Sequence, residues 1–120
     1  MRVDRQGRVH AEHGRFSAVI WRATDLAGRR ITLTEAALRH ARGEDETRRE
    51  RRGYITAQTI KVAVERGQRH ADMTQGRERL IADEVGPSAH LIVVVEIHAK
   101  AGTVITAYAM RRVPNVWRHL

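Results

Sequence analysis

The sequence predicts an α+β fold in which two N-terminal helices pack on an antiparallel sheet of four to five strands. Two segments, 35–42 and 57–66, combine a helix-capping residue with apolar residues at helical spacing. Several other segments are rich in β-branched and apolar residues and are separated by short turn sequences. A chain of 120 residues is about the size of one domain.

The first predicted elements are two strands followed by a helix. The segment 16–24 is rich in strand-forming residues, and a turn at 27–29 leads into a second strand at 31–33. Thr34 precedes an alanine-rich segment as a good N-cap, and Gly43 follows it as a helix terminator. These signals predict a helix over 35–42.

A highly charged segment, 44–52, separates this helix from the next one. Because it carries almost no apolar side chain, it is predicted to extend the helix or to form an exposed connection. Thr56 then caps a second helix over 57–66, which has one apolar stripe and ends at Gly67.

The C-terminal half is predicted to be a meander of three strands, at 77–85, 90–98 and 103–111, with turns at 86–88 and 100–102. Both faces of these strands carry apolar residues, so we expect helices on one face and partial shelter on the other. The domain is predicted to span 15–112, after a lead-in at 1–14 and before a C-terminal tail at 113–120. The tail is interpreted as a partner contact or a loose end.

Charge is the most informative feature of the composition. Lys and Arg number 22 against 14 Asp and Glu, for a net charge of +8, and Lys61 and Lys100 are the only lysines. Arginine binds phosphate through a planar fork, so the sequence predicts a nucleic-acid partner, RNA first. Aromatic residues make up only 4% of the chain, so phosphate contacts are expected to outweigh base stacking.

Other classes of site and location are disfavoured. The chain has no cysteine, hence no disulfide and no thiolate metal site, and no metal or cofactor is predicted. The longest apolar run, 91–95, is far shorter than the roughly 18 residues of a membrane helix. We therefore expect no membrane partner and a cytoplasmic location, in the producing cell or in a target cell.

His40 is the leading candidate for proton transfer. It lies on the first predicted helix between Arg39 and Arg42. An imidazole has a pKa of about 6.5 and can both take and give a proton near neutral pH, while the two guanidinium groups can hold a phosphate. A histidine that only packs or caps the end of the helix is the competing interpretation.

Two further candidate sets lie on the last two strands. Thr106 and Tyr108 alternate to one face, where their hydroxyls can donate to a phosphate, although a tyrosine in a sheet is usually half core. Glu96 and His98 form an acid–base pair at the end of the preceding strand. A hairpin loop at 99–102 predicts that Val95 faces Thr106 and Val93 faces Tyr108, with Glu96 and His98 on the opposite face.

The order of motifs resembles a known superfamily. The motifs are Trp21, the segment 28–34, a helix ending in Arg39 and His40, a charged stretch leading into 52–56, and the strand 104–108. Over about residues 18–110 the chain resembles the small toxin nucleases of the barnase–EndoU–colicin–RelE-like superfamily, in their phage-associated branch. The chain departs from that pattern in a longer charged insert after His40 and in lacking a second clear acid or base.

The resemblance implies a RelE/barnase-like fold with RNA lying across the sheet face opposite the helices. It also implies that His40, Thr106 and Tyr108 are catalytic, and that Arg52 lies at a position that is often basic. With Arg39, Arg42 and Arg77, Arg52 is expected to bind the substrate phosphates.

The leading hypothesis is a metal-independent endoribonuclease of toxin type, which cleaves tRNA or mRNA by attack of a 2′-hydroxyl on the phosphate. An acidic antitoxin or immunity protein is the implied partner. Two hypotheses compete with it: a basic nucleic-acid-binding module without catalysis, and a structural module of a phage or mobile element.

Overall fold

The structure, a computed structural model, describes residues 9–10, 16–43, 55–85 and 90–120. The predicted charged segment 44–52, which includes Arg52, lies outside these residues, as do the predicted turn 86–88 and most of the lead-in.

The N-terminal strands form two separate pairs. Strands β1 (Val9–His10) and β2 (Phe16–Ser17) make a small two-stranded antiparallel sheet. Strands β3 (Val19–Thr24) and β4 (Arg30–Thr34) form an antiparallel hairpin of the main sheet, which confirms the predicted strand pair. In its turn Gly28 has a φ of 78°, a left-handed conformation that glycine adopts without strain.

Both helices occur where the sequence predicts them. Helix α1 (Glu35–Arg42) starts at Thr34, whose side chain accepts a 3.2 Å hydrogen bond from the Ala37 amide, and it ends at Gly43 with a φ of 75°. Helix α2 (Ala57–Arg66) starts at Thr56, whose hydroxyl accepts a 3.1 Å hydrogen bond from the Thr59 amide.

Four strands complete the main sheet: β5 (Gln68–Ala71), β6 (Arg77–Asp83), β7 (His90–His98) and β8 (Ala101–Met110). The strand order is β3-β4-β8-β7-β6-β5, and β4 pairs with β8 in parallel. The α+β class is confirmed, but the predicted antiparallel sheet of four to five strands is wrong. The main sheet has six strands and is mixed, and the helices are not both N-terminal, because β3 and β4 precede α1.

The register of the last hairpin differs from the predicted one. The turn is the dipeptide 99–100, since His98 pairs with Ala101, and a bulge leaves Ile105 without a partner residue on β7. Val94 therefore faces Thr106 and Ile92 faces Tyr108, one residue away from the prediction. This slip brings Glu96 and His98 onto the same face as Thr106 and Tyr108, which overturns the predicted separation.

The two faces of the main sheet are covered differently. One face, called here the helix face, carries α1 and α2 over a large buried cluster that includes Leu33, Ile60 and Leu80. The other, called here the tail face, carries a smaller cluster of Ile81, Ile92, Val94 and Ile105, against which Tyr108, Met110, Val113 and Trp117 pack. The predicted shelter on both faces is therefore present, and on the tail face it comes from residues 113–120, the tail.

The tail is joined to the edge of the sheet by backbone hydrogen bonds. The Ala71 amide donates to the Arg118 carbonyl at 2.8 Å, and the Leu120 amide donates to the Arg69 carbonyl at 3.0 Å. His70 and His119 form an isolated antiparallel bridge between these two bonds. The tail thus continues the sheet beyond the short edge strand β5.

An ion-pair clasp holds the two ends of the sheet together on the helix side. Arg29, in the β3–β4 turn, lies 2.8 Å from both Asp25 and Glu78, and Arg69 of β5 lies 2.7 Å from Glu78. The two guanidinium groups hold the pKa of Glu78 at about 2 despite its burial. Because β4 and β6 are separated by two strands, these contacts require a strongly curved sheet.

In the part of the chain that the structure describes, neither helix is long and apolar enough to cross a membrane.

Candidate functional site

The sequence-predicted site residues fall into two groups on opposite sides of the sheet. Arg39, His40 and Arg42 lie on α1, whose buried Ala37 and Ala41 belong to the core of the helix face. Thr106 and Tyr108 pair with Val94 and Ile92, which belong to the cluster on the tail face.

Arg77 pairs with Glu96 and shares the tail face with Thr106 and Tyr108, whereas Arg52 lies outside the described residues. The structure therefore brings Arg77, Thr106 and Tyr108 to one face and does not bring His40 to them.

Tyr108 is half-buried on the tail face beside the tail. Burial raises the pKa of its phenol above the usual 10, with Asp72 adding to the effect and Arg79 opposing it. Its hydroxyl is therefore a neutral group that can donate or accept a hydrogen bond at neutral pH.

A cavity of about 690 Å³ opens on the tail face between the tail, the edge of the sheet and the end of α2. Its walls combine apolar side chains with six charged or titratable ones. The titratable and charged residues of the wall are Arg66, His70, Asp83, Glu84, His90 and His119, and the larger apolar ones are Val62, Ile81, Val85, Val113 and Trp117.

Two histidines of this wall form a direct pair. The Nε2 atoms of His70 and His119 are 3.2 Å apart, and the Nδ1 atom of His70 lies 3.2 Å from the Gln68 carbonyl oxygen. A carbonyl can only accept, so Nδ1 of His70 carries the proton and donates it. In the neutral pair, Nε2 of His70 is then the acceptor and Nε2 of His119 is the donor.

The environment of His70 favours the neutral imidazole. Its side chain is buried, whereas His119 is exposed. Burial lowers the pKa of His70 below the usual 6.5, and the charges of His119 and Arg79 lower it further, against the hydrogen bond to Gln68. At neutral pH His70 is therefore a base whose lone pair points toward the second imidazole.

Arg79 places a positive charge beside this histidine pair and also contacts the tail. Its guanidinium stacks 3.7 Å above the centroid of the Trp117 ring. Its Nε atom lies 3.0 Å from a carboxylate oxygen of Asp72, close enough for an ion pair although not aligned as a hydrogen bond. Arg79 is buried, so its charge acts in a region of low dielectric.

A second titratable pair lies at the other end of the cavity. His90 Nδ1 is 2.6 Å from Asp83 Oδ1, and the two residues face each other across β6 and β7. The carboxylate accepts from Nδ1, which leaves Nε2 of His90 for another partner.

Sequence reasoning did not select His70, His90 or His119. It weighed His40 and His98, which lie next to recognisable helix and strand signals. The partner of His70 is 49 positions away along the chain. The signal that was available is the tail sequence itself, in which an indole and an imidazole follow a predicted sheet that needs cover on its second face.

Among the described residues, no group of three or more His, Asp or Glu side chains is placed to hold a metal ion. No family model, no curated protein and no solved structure matches the chain.

Proposed function

We propose that this protein is a metal-independent endoribonuclease of toxin type, with its acid–base pair on the tail face. The observation that carries the proposal is the His70–His119 pair, 3.2 Å apart in the wall of a 690 Å³ cavity. The net charge of +8 and the resemblance of the motifs to RelE/barnase-like toxin nucleases support it independently. The pair supplies the second acid or base that the sequence motifs lack.

The reaction needs one base and one acid on either side of a phosphate. His70, neutral and with its lone pair on Nε2, takes the proton of the ribose 2′-hydroxyl. The 2′-oxygen then bonds to phosphorus as the bond from phosphorus to the 5′-oxygen breaks, and protonated His119 gives its proton to that 5′-oxygen. The products are a 2′,3′-cyclic phosphate and a free 5′-hydroxyl.

The ribose phosphate takes the place of the direct bond between the two imidazoles. His119 is exposed on the tail and can move away from His70, which is held by the Gln68 carbonyl. Arg66, an exposed residue of the same wall, can neutralise the phosphate oxygens. Buried Arg79, although paired with Asp72, adds to the positive potential at His70 and so favours the neutral imidazole that acts as the base.

The remaining RNA lies along the tail face in this proposal. One row of paired residues crosses five strands of that face. From β3 to β6 the row consists of Arg22, Thr32, Thr103, Glu96 and Arg77. The two arginines and the partly exposed hydroxyl of Thr103 can bind backbone phosphates without reading the sequence, whereas Thr32 is buried. An acidic antitoxin or immunity protein that covers the same surface would protect the RNA of the cytoplasm in which the enzyme acts. Its association with the basic surface would be fast and sensitive to salt.

The direct test is incubation of the purified protein with total RNA, with and without EDTA. We expect cleavage in both samples and 2′,3′-cyclic phosphate ends on the products. His70→Gln and His119→Gln should each slow cleavage by about 100-fold or more. His98→Gln, which removes an imidazole outside the cavity, serves as the matched variant. Intact RNA in both samples of folded wild-type protein would refute the enzymatic function.

The two arginines of this row, Arg22 and Arg77, favour one alternative, a nucleic-acid-binding module without catalysis. That function predicts that Arg22→Glu and Arg77→Glu weaken RNA binding and that log affinity falls with log salt concentration, while His70→Gln and His119→Gln change nothing. Binding without cleavage in the same assay would establish it.

A further inference from the structure

The cavity on the tail face has two chemically different ends. The register pairs His70 with Arg79 and His90 with Asp83, so the two titratable pairs are four residues apart along β6. At roughly 3.3 Å per residue, this separation is about 13 Å. The His70–His119 end lies beside the buried Arg79 charge, and the Asp83–His90 end carries a carboxylate.

An apolar stretch connects these ends. Ile81 lies between them on β6, and Val113 and Trp117 face it from the tail. The Arg79 guanidinium lies against the indole ring, whose remaining surface contributes to the cavity wall. A flat, weakly polar ring is the shape that this middle section accommodates best.

We propose that the cavity binds a single unpaired nucleotide of single-stranded RNA, with its phosphate at His70 and His119 and its base between Trp117 and Asp83. An anion at one end, a flat ring in the middle and hydrogen-bond donors at the far end are the parts of a nucleotide in that order. The cavity volume lies within the range of about 300–1,000 Å³ that is usual for small-ligand sites. The proposal rests on the proposed function and names the substrate class of the same site.

The carboxylate end determines which base fits. Asp83 contacts His90 through Oδ1, and its side chain is 72% exposed, so Oδ2 can accept a hydrogen bond from a ligand. Glu84 adds a second carboxylate to this end. Carboxylates accept from the exocyclic amine of cytosine but are repelled by the carbonyl oxygen that uracil has at the same position. The site therefore prefers cytosine to uracil.

The same geometry excludes duplex RNA. A base reaches Trp117 only when it leaves the stack, and extraction of a paired base from a helix costs free energy that an unpaired base does not lose. Single-stranded regions and loops are therefore the expected substrates.

The test uses the wild-type protein with 3′-CMP, 3′-UMP and inorganic phosphate as separate probes, followed by NMR of the two indole N–H signals. The indole N–H signal of Trp117 should shift when 3′-CMP is added. Trp21 should not, because its indole donates to the Ala57 carbonyl on the helix face at 2.9 Å. We expect 3′-CMP to bind about tenfold tighter than 3′-UMP, the usual effect of one hydrogen bond to a charged group.

Asp83→Asn is the decisive variant because the residue is exposed and its loss should leave the fold intact. We expect the preference for 3′-CMP over 3′-UMP to fall below about twofold, since an amide can pair with either base. Equal affinities in the wild-type protein, or a phosphate-only effect that moves the histidine signals and leaves Trp117 unchanged, would overturn the proposal. Nucleotide binding without RNA cleavage would support the nucleotide site and refute the endoribonuclease function. Cleavage without any preference for cytosine would support the endoribonuclease function and refute the nucleotide site.

Discussion

The two faces of the main sheet share the same strands but differ in what covers them. The helix face is sealed by α1 and α2 and buries residues such as Ile31, Ile60 and Val93 completely. The tail face is covered over a smaller area by residues 113–120 and leaves a cavity of about 690 Å³. The same sheet thus provides a closely packed side and an open side.

The charged groups of the two faces differ in the same way. On the helix side, Asp25 and Glu78 are matched by Arg29 and Arg69, in contacts of 2.7 to 2.8 Å. Because the two arginines hold the pKa of Glu78 at about 2, its contacts with them stay charged at moderate pH and hold the curvature of the sheet. On the tail face, His70 and His119 contact each other instead, and imidazoles change charge near neutral pH. We therefore expect the charged cluster of the helix side to contribute to stability, and our proposal assigns proton transfer to the tail face.

The largest expected effect is on RNA cleavage, and it compares the two faces directly. His119→Gln should reduce the cleavage rate by about 100- to 1,000-fold, because general acid catalysis contributes factors of this size. His40→Gln, which changes an imidazole on α1 of the helix face, should leave the rate within about twofold. Single-turnover cleavage of a short RNA measures both variants.

The opposite result would move the active site. A loss with His40→Gln and a normal rate with His119→Gln would support the sequence-based hypothesis of a catalytic helix α1. Circular dichroism and thermal unfolding of each variant separate a catalytic loss from a folding defect.

The second prediction concerns the clasp on the helix side. Glu78→Gln should lower the free energy of unfolding by about 3 kcal/mol, because it leaves two arginines in a partly buried site without their shared carboxylate. Urea denaturation at pH 7 measures the change. Glu96→Gln, whose side chain is 38% exposed and lies on the tail face, should cost less than about 0.5 kcal/mol. Equal effects of the two variants would contradict the assignment of stability to the helix side.

The third prediction compares packing on the two faces. A Cβ atom at Gly102 would lie 2.8 Å from Ile97 and 2.9 Å from Ile31, so Gly102→Ala should destabilise the protein by about 2 kcal/mol. Val113→Leu adds a methylene group at the wall of the cavity and should cost less than about 1 kcal/mol, because space is available there. If Val113→Leu proves the more damaging change, the tail face is not the loosely packed one.

The local elements were predictable because their signals lie within a few residues. The first helix begins after Thr34 and ends at Gly43. The second begins after Thr56 and ends at Gly67, as expected for capping residues. The register of the last hairpin was not predictable, since a two-residue turn and the bulge at Ile105 together shift every facing pair. The parallel pairing of β4 with β8 joins distant segments, which no local alternation encodes.

The candidate site was less predictable than the fold for the same reason. Charge and arginine content predict an RNA partner from composition alone, and this stays a prediction. The His70–His119 pair depends on β5, whose four residues lack β-branched side chains, and on a tail that pairs with it. Neither segment carries a strong local signal. His40 lies beside a clear helix terminus, and the sequence therefore predicted His40 as the catalytic histidine.

The smallest expected effect is a pH dependence of stability that originates on the tail face. The pKa of His70 in the folded protein lies below the usual 6.5, chiefly because of burial. Between these two values the unfolded chain binds more protons than the folded one, so the free energy of unfolding falls as the pH drops through this window. Urea denaturation from pH 7.5 downward should show this loss in the wild type and in His98→Gln, whose imidazole is 65% exposed. His70→Gln should flatten the curve over the same range. An unchanged slope would mean that the imidazole of His70 is protonated as readily in the folded protein as in the unfolded chain, which would contradict the effect of its burial on its pKa.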